Sequence, residues 1–276
     1  RSVSRGLGDV YKRQVYETEG KEIKNFLGEI WEAMKESICL GLNAEGIIPG
    51  KLQLSKRAKS IYNNKIENEP TEVKRTRLLT AYAYAVSETN ASGGEIVTAP
   101  TCGSCGVLPA TLYYLQKEDK YTDEEIINAL ATAGIIGNIV KTNASISGAE
   151  CGCQAEIGTA CSMAAAACSQ LRKLDIYKIE HAAEIAMEHH LGLTCDPIYG
   201  YVQIPCIERN AVAAIRAIDA SNISMLLDEN QKISFDLITE TMYETGKDLR
   251  SHYRETSTGG LAKKYCRNKY YNTDME

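Results

Sequence analysis

The chain has 276 residues, 44% hydrophobic and 24% charged, a composition that supports one globular domain with a substantial buried core. Its formal net charge of −5, with both signs spread along the whole length, offers no basic stripe to nucleic acid, and no run of about 18 apolar residues is present to enter a membrane. Ten cysteines at irregular spacings, with no secretory leader ahead of them, point to reduced thiols in a cytoplasmic protein rather than to a disulfide lattice.

Residues 1–14 are basic and glycine-containing, and they are expected to be non-native or disordered. A single domain is expected over 15–262, with a tail over 263–276. From 21 to 42 the side chains Ile23, Phe26, Leu27, Ile30, Trp31, Met34, Ile38 and Leu42 recur at helical steps, which predicts a helix with one buried face. After a turn at 46–50, residues 72–87 repeat the period through Leu78, Leu79, Tyr82 and Val86. Thr122 with Glu125 forms a capping box that opens a helix running toward 140. Residues 160–173 are alanine-rich and free of β-branched side chains, so they favour helix strongly. A helix over 179–190, stopped at Gly192, and two more over 209–227 and 234–249 complete the set. Only 95–99 and 201–204 have strand character. The expected fold is all-α, one helical catalytic domain with its site on loops between helices.

Three segments interrupt the helices: 98–109, 142–158 and 193–210. Each is rich in Gly, Cys and small polar residues, and the three are expected to converge. Thiolates at Cys153, Cys195 and Cys206 suit a cluster whose iron prefers soft sulfur ligands. Two other readings stand beside it. Cys102 and Cys105 with Cys151 and Cys153 could form a structural four-thiolate zinc site, and Cys102 with Cys105 could be a redox pair. Cys39, Cys161 and Cys168 fall inside helical patterns and read as packing residues.

The segments AYAVSETNASGG at 83–94, VTAPT at 97–101, GAECGCQAEIGTACSMAAAA at 148–167 and EHHLGLTCDPIYGYVQIPCIERNA at 188–211 resemble the signature segments of the α domain of bacterial iron–sulfur L-serine dehydratases. The similarity runs from about residue 30 to 262. The resemblance implies a lyase that turns L-serine into pyruvate and ammonia. It implies a [4Fe–4S] cluster held by Cys153, Cys195 and Cys206, no pyridoxal phosphate (PLP), and a β domain or β chain as partner in a homo- or hetero-oligomer. Cys266, after Gly259, Gly260 and Leu261, matches a family cysteine that reaches the cluster, with a shorter spacer and a longer tail. Cys151 stands where the family carries an apolar residue. An iron left open by three cysteines suits the chemistry, because a Lewis acid on the serine hydroxyl helps a poor leaving group depart.

Lys141 could take the α-proton if desolvated, could neutralise the substrate carboxylate, or could be a solvated lysine at a helix end. Asn143, Ser145, Ser147, Thr98, Thr101 and Ser104 are small donors suited to the substrate carboxylate, or to ordinary turns. Arg209 reads as structural, paired with Glu150 or Glu208, and His189 and His190 as packing or capping residues. Related readings remain: a cluster-dependent lyase for L-cysteine or L-threonine, and a non-enzymatic helical subunit with structural zinc.

Overall fold

The computed structural model describes residues 9–20, 22–228 and 230–267. Among the described residues twelve α-helices follow one another: α1 (Asp9–Glu19), α2 (Ile23–Asn43), α3 (Ala58–Asn63), α4 (Thr71–Ala91), α5 (Val107–Asp119), α6 (Asp123–Asn143), α7 (Gly148–Cys151), α8 (Thr159–Leu171), α9 (Ile176–Glu188), α10 (Cys206–Leu226), α11 (Phe235–Asp248) and α12 (Gly260–Arg267). Among the described residues there is no strand, only isolated bridges between Ile47 and Ser55 and between Cys195 and Arg254. The fold is all-α.

The alanine-rich segment became the centre of the molecule. α8 packs against α5, α6, α9 and α10, and its residues from Thr159 to Ser169 are all buried. A helix apolar all round belongs in a core, and its small side chains let four neighbouring helices approach closely. Cys161 and Cys168 are fully buried there, and the Cys161 thiol donates to the Ala213 carbonyl at 3.3 Å. They are packing residues. Cys39 is not: it lies exposed on the outer face of α2.

A second layer forms on α4, which contacts α2, α3, α5 and α10. The Thr122 capping box at the start of α6 is made as expected, with Thr122 N donating to Glu125 at 2.9 Å. Trp31 is fully buried on α2, and its indole N–H donates to Asp123 at 2.9 Å, tying α2 to the start of α6.

Two expectations are corrected. Residues 95–99 and 201–204 are not strands. The first lead irregularly into Pro100, and the second close on themselves, with Gln203 N donating to Tyr201 O at 2.7 Å and Ile198 N to Ile204 O at 3.0 Å. The segment 98–109 ends earlier than expected, because α5 starts at Val107. Pro109 sits in its first turn, where a missing N–H leaves no bond unmade. Helix α1 covers 9–14, the second half of the segment set apart from the domain; Tyr16 ties it to α6 through a 2.6 Å bond to Asn128. Residues 1–8 and 268–276, parts of the two terminal segments expected above, lie outside the described residues.

Candidate active site

The three interrupting segments meet beside α8 and α10. The second is built tightly: α7 ends at Cys151, Gly152 reverses the chain at φ +76°, and Cys153 leads into a π-helical turn over Gln154–Gly158. A Cβ on Gly152 would stand 2.8 Å from the Leu193 carbonyl oxygen, so a glycine is needed for both the positive φ and the approach. Wide turns of this kind re-aim side chains and recur at functional sites.

Gln154 fastens this segment to the third. Fully buried, it accepts from Gly192 N at 2.8 Å and donates to Met242 O at 3.0 Å, while its own N–H reaches Leu193 O at 3.2 Å. Cys195 is fixed by its backbone, donating to Tyr253 O at 2.8 Å and accepting from Glu255 N at 2.6 Å. The next residue, Asp196, accepts from Leu261 N and so holds the start of α12. Cys206 opens α10, and one turn later Asn210 bonds to Cys206 O at 2.9 Å, Gly103 O at 2.8 Å and Gly106 N at 2.8 Å. One buried amide thereby joins the first segment to the third.

At the meeting point the ligand atoms of Cys153, Glu156 and Cys195 all lie within 4.8 Å of one another. The two thiols are 2% and 3% exposed. Glu156 Oε2 is 3.9 Å from Cys195 Sγ, and Thr101 donates to Glu156 Oε1 at 2.7 Å. Cys153 and Cys195 form one acid–base unit. The Cys195 thiol donates to Cys153 and so lowers the Cys153 pKa against the cost of burial, with the Arg209 guanidinium helping. Its partner is driven the other way, by that same bond and by burial. Burial, with Cys153 and Glu156 adding, pushes the Cys206 thiol up to about 12, and burial likewise raises the Glu156 carboxyl. The protons held on Cys195 and Cys206 are ones that a bound cation would displace.

The donor set fits a soft metal. A single ion would draw its donors from Cys153, Glu156 and Cys195, and Cys206, at the start of α10, stands outside that group. The two paired-cysteine readings find no such assembly. Cys102 is exposed, Cys105 and Cys151 are buried apart from the ligand group, and all ten cysteines are free thiols.

The remaining expected residues divide. Thr101 and Ser104 join the site, since they share a 3.1 Å bond and Thr101 holds Glu156. Ser145 is buried and accepts from Ser147 N at 3.1 Å, ahead of α7. Thr98 and Asn143 are exposed, and so is Lys141 in the last turn of α6, which makes no bond among the described residues. Cys266 sits at the exposed end of α12, beside Tyr199 and outside the ligand group. Arg209 bonds to Thr194 O at 2.6 Å and faces Asp196 at 4.0 Å, while Glu150 pairs with Lys247. His189 and His190 each place Nδ1 on a carbonyl of α9, at 2.8 and 2.6 Å. Glu156 was not singled out from the sequence. Its signal was a lone carboxylate three residues after Cys153 in an otherwise apolar, small-residue run, on the same helical face.

Comparison with known proteins agrees with this architecture. A family profile described as "Serine dehydratase alpha chain" matches residues 7–262. The chain is 49% identical over 252 residues to an L-serine dehydratase of Haemophilus influenzae, covering 89% of this chain and 55% of that protein. It is 49% identical over 247 residues to L-serine dehydratase TdcG of Escherichia coli, covering 87% and 54%. Against an L-serine dehydratase of Streptomyces coelicolor it is 46% identical over 242 residues, covering 87% and 53%. The chain thus spans about half the length of the curated relatives it matches. With the profile covering nearly all the described residues, the chain belongs to the serine dehydratase alpha chain family.

Proposed function

We propose that this chain is the catalytic α part of an L-serine dehydratase, a PLP-independent lyase forming pyruvate and ammonia, in which Cys153, Cys195 and Cys206 hold a [4Fe–4S] cluster. The observation that carries the reading is the convergence of buried thiols at Cys153 and Cys195 with the Glu156 carboxylate, inside a chain of the serine dehydratase alpha family. The cluster would supply a Lewis acid for the serine hydroxyl.

The chain's own residues have separate tasks in this reading. Thr101, with Ser104 behind it, and the Ser145 to Ser147 turn would serve the substrate carboxylate by exchanging the partners they hold here, Glu156 for the Thr101 hydroxyl and Ser145 for the Ser147 N–H. Thr98 and Asn143, both exposed, are the remaining donors proposed for that carboxylate. Lys141 is exposed, and the desolvation that makes a lysine a base is not provided by its own chain; it would need the cover of a β partner to take the α-proton, and it serves the carboxylate as a cation without one. Loss of that proton and of hydroxide leaves aminoacrylate, which tautomerises and hydrolyses to pyruvate and ammonia. A fourth thiolate from Cys266 requires α12 to move toward the ligand group. A β domain or chain completes the site, and the protein works as an oligomer in the cytoplasm; no helix among the described residues is long and apolar enough to cross a membrane.

The test is product formation from L-serine, L-threonine and L-cysteine by anaerobic protein with the β partner present. Pyruvate from serine in excess over 2-oxobutyrate or sulfide from the other two supports the assignment. Turnover of cysteine or threonine ahead of serine reassigns the substrate, and no turnover of any of the three by cluster-loaded protein with its partner contradicts the lyase.

A further inference from the structure

The cysteine site stands at the N-terminal end of α5. At the C-terminal end of this 13-residue helix, roughly 20 Å away at the usual rise, a second cavity of about 360 Å³ opens between α3, α4 and α5. The two sites share no residue. Leu42, Leu78 and three tyrosines, Tyr62, Tyr82 and Tyr113, line its apolar part. Tyr82 meets Tyr113 edge to face at 4.9 Å and lies 6.1 Å from Tyr62.

The rest of the lining is cationic. Lys65, Lys74, Arg77, Lys117 and Lys120 face one acid, Glu118. Two of these cations are neutralised: Lys74 pairs with Glu118 at 2.6 Å, and both Glu69 oxygens hold Arg77 at 2.6 and 2.7 Å. Lys65, Lys117 and Lys120 have no carboxylate partner among the described residues. Three uncompensated ammonium groups around one cavity concentrate positive potential in a chain whose net charge is −5.

Lysines in the last turn of a helix ordinarily answer its dipole, and Lys120 does bond back to the Lys117 carbonyl. That explanation covers neither Lys65, which precedes α4, nor Tyr82. Tyr82 is 4% exposed, lines the cavity, and its hydroxyl makes no hydrogen bond among the described residues. The ring is buried while its hydroxyl is left open to the cavity, where it is free to donate to an acceptor that enters.

We propose that the cavity binds a nucleoside diphosphate, its base against Tyr62, Tyr82 and Tyr113 and its phosphates among Lys65, Lys117 and Lys120, with the Tyr82 hydroxyl donating to a phosphate oxygen. A diphosphate ester carries about three negative charges near neutral pH, which matches the three unpaired ammonium groups. The cavity is of the size that small-molecule sites occupy, and lysines serve phosphates as point charges.

Calorimetric titration of the purified protein with ADP, inorganic pyrophosphate and adenosine tests this. ADP is expected to bind more tightly than either fragment. Lys117→Glu and Lys120→Glu should each weaken ADP by about tenfold or more, as loss and reversal of a charge-assisted contact implies. Tyr82→Phe should weaken it while keeping the ring, and Lys232→Glu, an equal charge change outside the cavity, should leave it unaltered. Circular dichroism checks that each variant is folded, and the exposed lysine variants carry the test if Tyr82→Phe is not. No ADP binding by the unaltered protein, or ADP binding that survives both lysine changes, overturns the site; pyrophosphate binding as tightly as ADP overturns the nucleoside.

Discussion

Glu156 and Cys195 approach to 3.9 Å, carboxylate oxygen to sulfur, although they are 39 residues apart and enter from different segments. The contact depends on Gly148. A Cβ there would stand 2.5 Å from Glu156 Oε2 and 3.1 Å from Cys195 Sγ. Gly148→Ala is therefore expected to displace Glu156 and cut bound iron severalfold while leaving helicity intact. Iron per chain, read beside the far-ultraviolet dichroism, checks it, and full iron content in the variant would refute the dependence.

Gln154→Leu keeps the volume of the side chain and removes both of its polar contacts. The Gly192 N–H and the Met242 carbonyl are then buried without partners, at a combined cost of about 3 kcal/mol. Denaturant midpoints of the variant and the unaltered protein measure this. An unchanged midpoint would show that the amide does not fasten the two segments.

Glu184 gives the fold a pH dependence separate from the cysteine site. It is 3% exposed on α9, Oε1 has no partner, and the His181 ring is 3.8 Å from Oε2. Burial, with the charges of Glu188 and Glu180 adding, pushes its carboxyl from the ordinary 4.5 up to about 7. Between those values the folded chain holds a proton that the unfolded chain has released, so stability falls as pH rises through this window and the full penalty stands above it. Glu184→Gln should remove that slope and stabilise the protein by roughly 2 kcal/mol at about pH 8, with little effect at about pH 4.5. Thermal midpoints at the two pH values check it; His181, in contact with Glu184, contributes with the opposite sign. Parallel curves would remove Glu184 as the cause.

Position separates the cysteines. Cys153→Ala, Cys195→Ala and Cys206→Ala should each abolish iron retention. Cys161→Ala and Cys168→Ala, in the packed interior of α8, should keep it and cost about 1 kcal/mol of stability from the small cavities they leave. Equal iron in all five variants would sink the ligand assignment.

Much of this was legible in the chain. The amphipathic periods of α2 and α4, the Thr122 box and the alanine run each encode structure locally, and the helices lie within a few residues of those expectations. α5 was missed because Leu108, Ala110, Leu112 and Leu115 bury more than one face and leave no clean stripe, and because Pro109 reads as a stop. The cysteine loops were visible by composition, and their convergence follows from long-range bonds such as Gln154 to Gly192 and Asn210 to Gly103. Those bonds have no periodic signature. Glu156 was hidden for the same reason, since its role depends on Thr101, 55 residues away.

The central claim is tested most directly by iron and acid-labile sulfide in protein purified without oxygen and given the means to rebuild a cluster. About four iron and about four sulfide per chain, as a cubane cluster requires, is the predicted result. Zinc without sulfide would contradict the account.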